Sequence, residues 1–360
     1  MRRTVVPALL LALASVGCSP PPDGLAEFVA FTLPDTSGTV VAARGGEIVH
    51  CAGHGLADRE AGVPATCDTV YDVMSLTKQF TAAAILELET MGELHVNDRI
   101  DRHLTPVPAD KRTITLHHLL THTAGLPDTL GDDYDVVSRD AMLTEAMAAE
   151  LVAEPGAEFH YSNVGYSVLA AIVETVSGLG YEEFLSRYLF TPAGMTSTGY
   201  VLPDWDPDQV AVEYDAGGEP HGRPYEHPWA ADGPYWNLRG NGGMLSTARD
   251  MFRWHRALLG DDVLPAPARA KLFTPHQPVP DSAETYAYGW GMYETDLGRV
   301  AWHNGGNSWS LANYARALDT DAMTFWVSNQ AYRDDEWNLE DIEFDLTMGI
   351  LERVGPLSGR

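Results

Sequence analysis

The sequence predicts an α/β fold of the α+β type: one antiparallel sheet built from both chain ends, flanked by helices, with a mostly helical inserted region. Three observations predict it. Strand-like, β-branched segments lie near residues 39–51 and again from 286 to 328. The stretch from about 98 to 259 is mostly helical in pattern and is broken by Gly, Pro and Asp clusters. An amphipathic segment, 335–354, then closes the chain as a helix. With 45% hydrophobic residues in 360, one large packed domain is within reach.

The first residues read as an export signal, residues 1–17. Arg2 and Arg3 form a basic start and Val5 to Val16 an apolar core too short to span a membrane. Gly17-Cys18-Ser19 resembles the cleavage box of bacterial lipoproteins, although Ser15 stands where leucine is usual. That resemblance implies lipid on Cys18, an address in the bacterial cell envelope, and a membrane contact through the anchor only. Simple signal cleavage is the alternative. Residues 18–24, rich in proline, read as a tether, and 25–354 as the domain. Cys51 and Cys67 then remain. In an oxidising compartment this even pair predicts a disulfide, with two buried free thiols as the alternative.

Within the domain, Thr39–Arg44, a Gly45-Gly46 turn and Glu47–Cys51 predict a hairpin. Helices are expected over Thr115–Thr121, Arg139–Ala149, Val164–Val176, Glu182–Leu189 and Thr247–Leu259. Strands are expected over Tyr288–Glu294, Arg299–His303, Leu311–Leu318 and Met323–Ser328. Between Pro203 and Gly243 lies a long irregular stretch carrying Trp205, Trp229, Tyr235 and Trp236. Such loops are either functional or packed under their own side chains.

The stretch that carries chemistry is Ser75-Leu76-Thr77-Lys78. The Ala-rich run behind it favours a helix that ends at Gly92, and Ser75 and Lys78 share one face of its first turn. Apolar neighbours predict a buried helix, and a buried lysine without a partner tends to be neutral. A neutral amine takes a proton from a hydroxyl and makes it a nucleophile. Ser and Lys fall three apart by chance in most long chains, but this one has only three lysines, Lys78, Lys111 and Lys271. Two further stretches join it. Tyr161 and Asn163 lie two apart before a helix, so in extended backbone they point the same way. A phenol beside an ammonium loses its proton more easily and serves as a base, and Asn163 offers donor and acceptor to an amide. A plain helix cap explains this pair equally well. Trp302-His303-Asn304-Gly305-Gly306-Asn307 ends a strand, where glycines let a ligand approach and an N–H completes an oxyanion hole. By itself it is also an ordinary turn.

Together and in this order, the three stretches resemble the serine β-lactamase and penicillin-recognising family. Its nearest branch holds class C β-lactamases, D-alanyl-D-alanine carboxypeptidases and related esterases. Leu119–Pro127, Pro155-Gly156, Gly242–Thr247 and Tyr288–Gly291 support the likeness. The resemblance implies a β-lactamase/transpeptidase-like fold and an exported serine hydrolase working through an acyl-enzyme, with no cofactor or metal. Ser75 is the acylated residue in that reading, Lys78 and Tyr161 share the proton work, and Asn163 holds the acyl-side amide. His303, Asn304 and Gly305 bind substrate, and the backbone N–H groups of Ser75 and Gly306 form the oxyanion hole. Asn304 departs from the family's threonine or serine, so small esters are expected to be favoured over β-lactams or D-alanyl peptides. A catalytically weak protein of the same fold that binds peptidoglycan or another ligand is the other reading.

Rival chemistries fare poorly. No G-x-S-x-G elbow, Walker A loop or H-E-x-x-H is present. His117, His118 and His122 have helical spacing that suits a metal, but packing and capping explain it better. A net charge of -28 argues against nucleic acid, whose phosphates need basic patches.

Overall fold

The computed structural model describes residues 20–354. The signal segment, Cys18 and the start of the tether lie outside the described residues. The principal strands are β1 (Gly38–Arg44), β2 (Glu47–His54), β3 (Val70–Asp72), β4 (Leu245–Thr247), β5 (Gln277–Pro278), β6 (Thr285–Tyr286), β7 (Gly291–Thr295), β8 (Gly298–Gly306), β9 (Leu311–Ala317) and β10 (Ala322–Ser328). The principal helices are α1 (Leu25–Thr32), α2 (Thr77–Met91), α3 (Leu116–Leu120), α4 (Arg139–Ala148), α5 (Asn163–Ser177), α6 (Tyr181–Leu185), α7 (Ala248–Ala257), α8 (Ala266–Leu272) and α9 (Glu343–Val354).

The large sheet runs β5-β6-β7-β8-β9-β10-β1-β2 and is antiparallel throughout. The β10–β1 pairing is where the two chain ends meet, as the patterning predicted. Strands β9 and β10 are buried at every position. Two-residue alternation then divides the side chains between layers. Val40, Ala42 and Trp326 pack towards α1 and α9, whereas Val41, Ala43, Phe325 and Val327 pack towards α2 and the insert. Helix α2 is buried on nearly every side from Thr77 to Leu86, which suits its run of alanines among larger apolar residues. It ends at Gly92, whose φ of 81° is the left-handed cap that glycine adopts without strain. Helix α5, the centre of the insert, packs on α2 and α3.

Boundaries differ where local chemistry intervenes. The last helix begins at Glu343 rather than at 335. Asp335 has a φ of 57°, a short hairpin pairs Tyr332–Arg333 with Trp337–Asn338, and the Asn338 side chain accepts from Glu340 N–H at 2.9 Å. Strand β7 begins at Gly291 rather than Tyr288, because Gly289 turns at φ 75° against α2, where a Cβ would come within 2.7 Å of the Lys78 carbonyl. The helix expected over Glu182–Leu189 starts at Tyr181 and passes into a wider turn over Ser186–Phe190. Helices α1 and α8 add to the expected set. The Cys51–Cys67 disulfide is present, with its Cα atoms 6.0 Å apart.

Candidate active site

The site lies where the start of α2, the start of α5 and the end of β8 converge. Ser75 sits in a 3-10 turn, Met74–Leu76, that leads into α2. Met74 holds a φ of 49°, rare for a side chain of its size, and turns the chain so that Ser75 opens the helix. Asp72 accepts from Met74 N–H at 2.6 Å and helps hold this turn.

Lys78 is wholly buried. Its Nζ stands 3.0 Å from Ser75 Oγ, 2.7 Å from Asn163 Oδ1 and 2.9 Å from the Asn241 carbonyl. Burial pushes its pKa down from 10.5 to about 7, against the opposing pull of Asp128 and Asp133. A neutral amine has two N–H donors and one lone pair. Asn163 and Asn241 offer only acceptors to it, so they occupy both donors, and the lone pair is left facing the Ser75 hydroxyl. The Tyr161 phenol is hydrogen-bonded to Ser75, and burial raises its pKa. As an ammonium, Lys78 donates to all three oxygens, Ser75 Oγ included; as the free amine it turns its lone pair to the Ser75 hydroxyl.

This corrects one expectation. Burial first, and then the charges of Asp128 and Glu284, hold the Tyr161 phenol above its ordinary value, against a hydrogen bond with Ser75.

Asn163 opens α5, with Ser162 as its cap accepting from Gly165 N–H at 3.0 Å. Its amide is spanned between Lys78 and Asp128, to which Nδ2 donates at 3.0 Å. His303, on β8, is buried and faces the helical insert. Its Nδ1 donates to the Asn304 carbonyl at 2.5 Å, and its Nε2 accepts from the Tyr286 hydroxyl at 3.0 Å. Burial and the Lys78 charge lower its pKa to about 3, so it is neutral at ordinary pH.

Asn304 is the second correction. Successive residues of a strand face opposite ways, and with His303 turned to the insert, Asn304 is turned to α9. Its Nδ2 donates to Glu343 at 3.1 Å, beside a second donation to Glu343 from Asn313 at 2.9 Å. The amide is thereby engaged away from the cleft. Gly305 lies flush against the nucleophile's turn, where a Cβ would stand 2.7 Å from both Ser75 N and the Val73 carbonyl. Asn307 N–H donates to Ser310 across the β8–β9 turn, so Gly306, one residue earlier, directs its N–H to the other edge of β8. That edge is uncovered there, because β7 ends opposite Trp302. The Ser75 N–H, in the first turn of a helix, is among the donors a helix start leaves without an internal acceptor. The close approach of Gly305 sets Ser75 N against β8 one residue before Gly306.

The histidines of the 117–122 stretch have other partners. His117 pairs with the Tyr288 hydroxyl at 2.8 Å, and His118 completes a capping box with Thr115. His122, at a φ of 57°, lies with its ring 4.3 Å from that of Tyr161 and accepts from Ser162 N–H at 3.0 Å, which wedges Tyr161 in place. Sequence reasoning missed Asp128, Asp133, Asn241 and Tyr286. The first three act through charge or a backbone carbonyl, for which no sequence pattern exists.

Residues 33–343 match the family model described as Beta-lactamase. The chain belongs to that family. It is 30% identical over 311 residues to Penicillin-binding protein 4* of Bacillus subtilis, covering 82% of this chain and 68% of that one. It is 32% identical to the putative penicillin-binding protein PbpX of the same organism, covering 71% of this chain and 62% of that one. Among solved structures, a penicillin-binding protein from Bacillus halodurans superposes with a TM-score of 0.73 at 28% identity, covering 86% of this chain and 96% of that one. A β-lactamase/D-alanine carboxypeptidase from Pseudomonas syringae shares the fold, with a TM-score of 0.76 at 20% identity over 89% of this chain and 94% of that one. This beta-lactamase-family chain therefore has the penicillin-binding and β-lactamase fold of serine hydrolases, a large antiparallel sheet flanked by helices.

Proposed function

We propose that the protein is a serine hydrolase that forms an acyl-enzyme on Ser75. The observation that carries this reading is the buried Lys78 amine, 3.0 Å from Ser75 Oγ and lowered to about 7, with both of its N–H donors taken by other acceptors. Ser75 Oγ attacks the substrate's carbonyl carbon as Lys78 takes its proton, and the carbonyl oxygen gathers charge between the N–H groups of Ser75 and Gly306. The Tyr161 phenol protonates the leaving group, its phenolate takes a proton from the water that next attacks the acyl carbon, and Lys78 returns its own proton to Ser75 Oγ as the ester breaks. Water then cleaves the acyl-enzyme. Asn163 and Asn241 hold the amine.

The substrates we propose are small esters in preference to β-lactams or D-alanyl peptides. The latter two carry a carboxylate, and a neutral His303 offers no positive charge to it. The side chain of Asn304 is turned away as well, so the preference rests on His303. The D-amino acid amidase of Ochrobactrum anthropi, solved with D-phenylalanine, has the same fold. We also propose export, with a lipid on Cys18 tethering the domain in the bacterial envelope.

A serine-directed aryl phosphonate tests the nucleophile by intact mass. Wild-type protein gains one adduct, mapped to Ser75, and Ser75→Ala gains none. An adduct that persists in Ser75→Ala would overturn the assignment.

A further inference from the structure

A second cleft opens at the end of β8 and β9 opposite the nucleophile, between α8, the end of α7 and the β9–β10 turn. It encloses about 610 Å³, and Leu258, Leu259, Phe273, Pro275 and Leu318 give it apolar walls. Three arginines, Arg269, Arg299 and Arg316, line it as well. Arg269 is tied to Asp261, and Arg299 faces Asp319 at 3.6 Å. Arg316, on β9, is 3% exposed and makes no ion pair among the described residues. Its Nε donates to His255 Nδ1 at 3.1 Å and its Nη2 to the His255 carbonyl at 3.4 Å. Both bonds go to one residue, so Nη1 lies on the side of the planar group turned away from His255. Nη1 is buried and has no hydrogen-bond partner among the described residues. The guanidinium carbon stands 5.1 Å from the centre of the Phe273 ring.

Acyl transfer at Ser75 uses none of this. Arg299 lies six residues before Gly305 on β8, about 20 Å along the strand. Burial, and then the Arg316 charge, hold His255 well below its ordinary value, so His255 offers a lone pair and no negative charge. Asp321 also lines the cleft, yet it is exposed and forms no ion pair with Arg316 among the described residues. A guanidinium stays charged in proteins, and a buried charge without its counter-charge is costly. Nη1 carries two N–H donors, which a carboxylate accepts in charge-assisted hydrogen bonds. We propose that this cleft binds a small organic carboxylate, with its anionic head on Arg316 Nη1 and its apolar body along Phe273 and Leu258. The volume is that of a small-molecule site. A net charge of -28 repels anions at long range, so the attraction comes from the local guanidinium. The site is independent of the hydrolase reading.

Calorimetric titration of the intact protein at pH 7.5 and physiological salt tests the site, with phenylbutyrate as the probe and phenylbutanol as its neutral counterpart. The acid should bind at least about tenfold tighter than the alcohol. Arg316→Met removes the charge while keeping an apolar side chain beside Phe273, and should cut acid binding at least about tenfold. Ala270→Trp fills the cleft from its exposed rim and should do the same, so the test reports even where Arg316→Met does not fold. Any ester turnover of the wild type should persist in Ala270→Trp, which separates this cleft from the one at Ser75. No detectable acid binding, an alcohol that binds as tightly, or acid binding that survives whichever of the two variants fold overturns the site. Inorganic phosphate that displaces the acid at equal concentration marks a bare anion hole and overturns the carboxylate class.

Discussion

Lowering the pH through 7 perturbs the proposed base directly. Lys78 is pushed to about 7 by burial, and only its free amine can accept the Ser75 proton. About half of the molecules hold that amine at pH 7, about a tenth at pH 6 and about a hundredth at pH 5. The value of kcat/KM for a neutral aryl ester should therefore fall about tenfold per pH unit below 7 and level off above it. A lysine at its ordinary value would be roughly 0.03% free amine at pH 7. The limb should also be movable. The carboxylate of Asp128 raises the Lys78 pKa, so Asp128→Asn lowers it and carries the limb to lower pH. The Asn163 amide separates the two charges by about 7 Å, and at the effective dielectric of about 40–80 that suits an exposed acid the shift is about 0.4–0.9 pH unit. The new amide oxygen still accepts from Asn163 Nδ2. His303, at about 3, and His122, held well below its ordinary value, do not titrate in this range. Glu284 is raised to about 7 by burial, and its charge reaches Tyr161, so Glu284→Gln is the control and should retain the limb. Lys78→Arg keeps a charge that proteins do not remove, and should lose at least about a thousandfold at every pH. A flat profile from pH 5 to 9, a limb unmoved by Asp128→Asn, or one abolished by Glu284→Gln would refute the argument.

Adding a methyl group at two adjacent glycines should separate their roles. Gly305→Ala drives a Cβ to within 2.7 Å of Ser75 N and Val73 O and should cut ester turnover at least tenfold, whereas Gly306→Ala meets nothing nearer than Leu311 Cδ1 at 3.4 Å and should fold with a near-normal melting temperature. Asn304→Thr should leave the ratio of β-lactam to ester kcat/KM within about twofold while removing a donor from Glu343, at about 1–2 kcal/mol of stability in urea unfolding. Peptide mapping without reduction should find Cys51 joined to Cys67, and reduction should cost about 3 kcal/mol on chain-entropy grounds. In protein purified from the envelope, an N-terminal peptide that starts at Cys18 and carries acyl mass would bear out the anchor.

By itself the sequence determined the plan of the sheet and the identity of the reacting groups. The apolar strand runs of β9 and β10, the Gly45-Gly46 turn and the left-handed Gly92 are local features, and local features are written in residue order. Ser75 and Lys78 are three apart on one helix, so their meeting was legible as soon as the helix was. Tertiary structure decided the protonation states and directions. Desolvation depends on everything packed around a group, and it lowered Lys78 to about 7, kept Tyr161 protonated and removed the charge from His303. The side chain of Asn304 was misjudged because a strand's two faces become distinguishable only when α9 covers one of them.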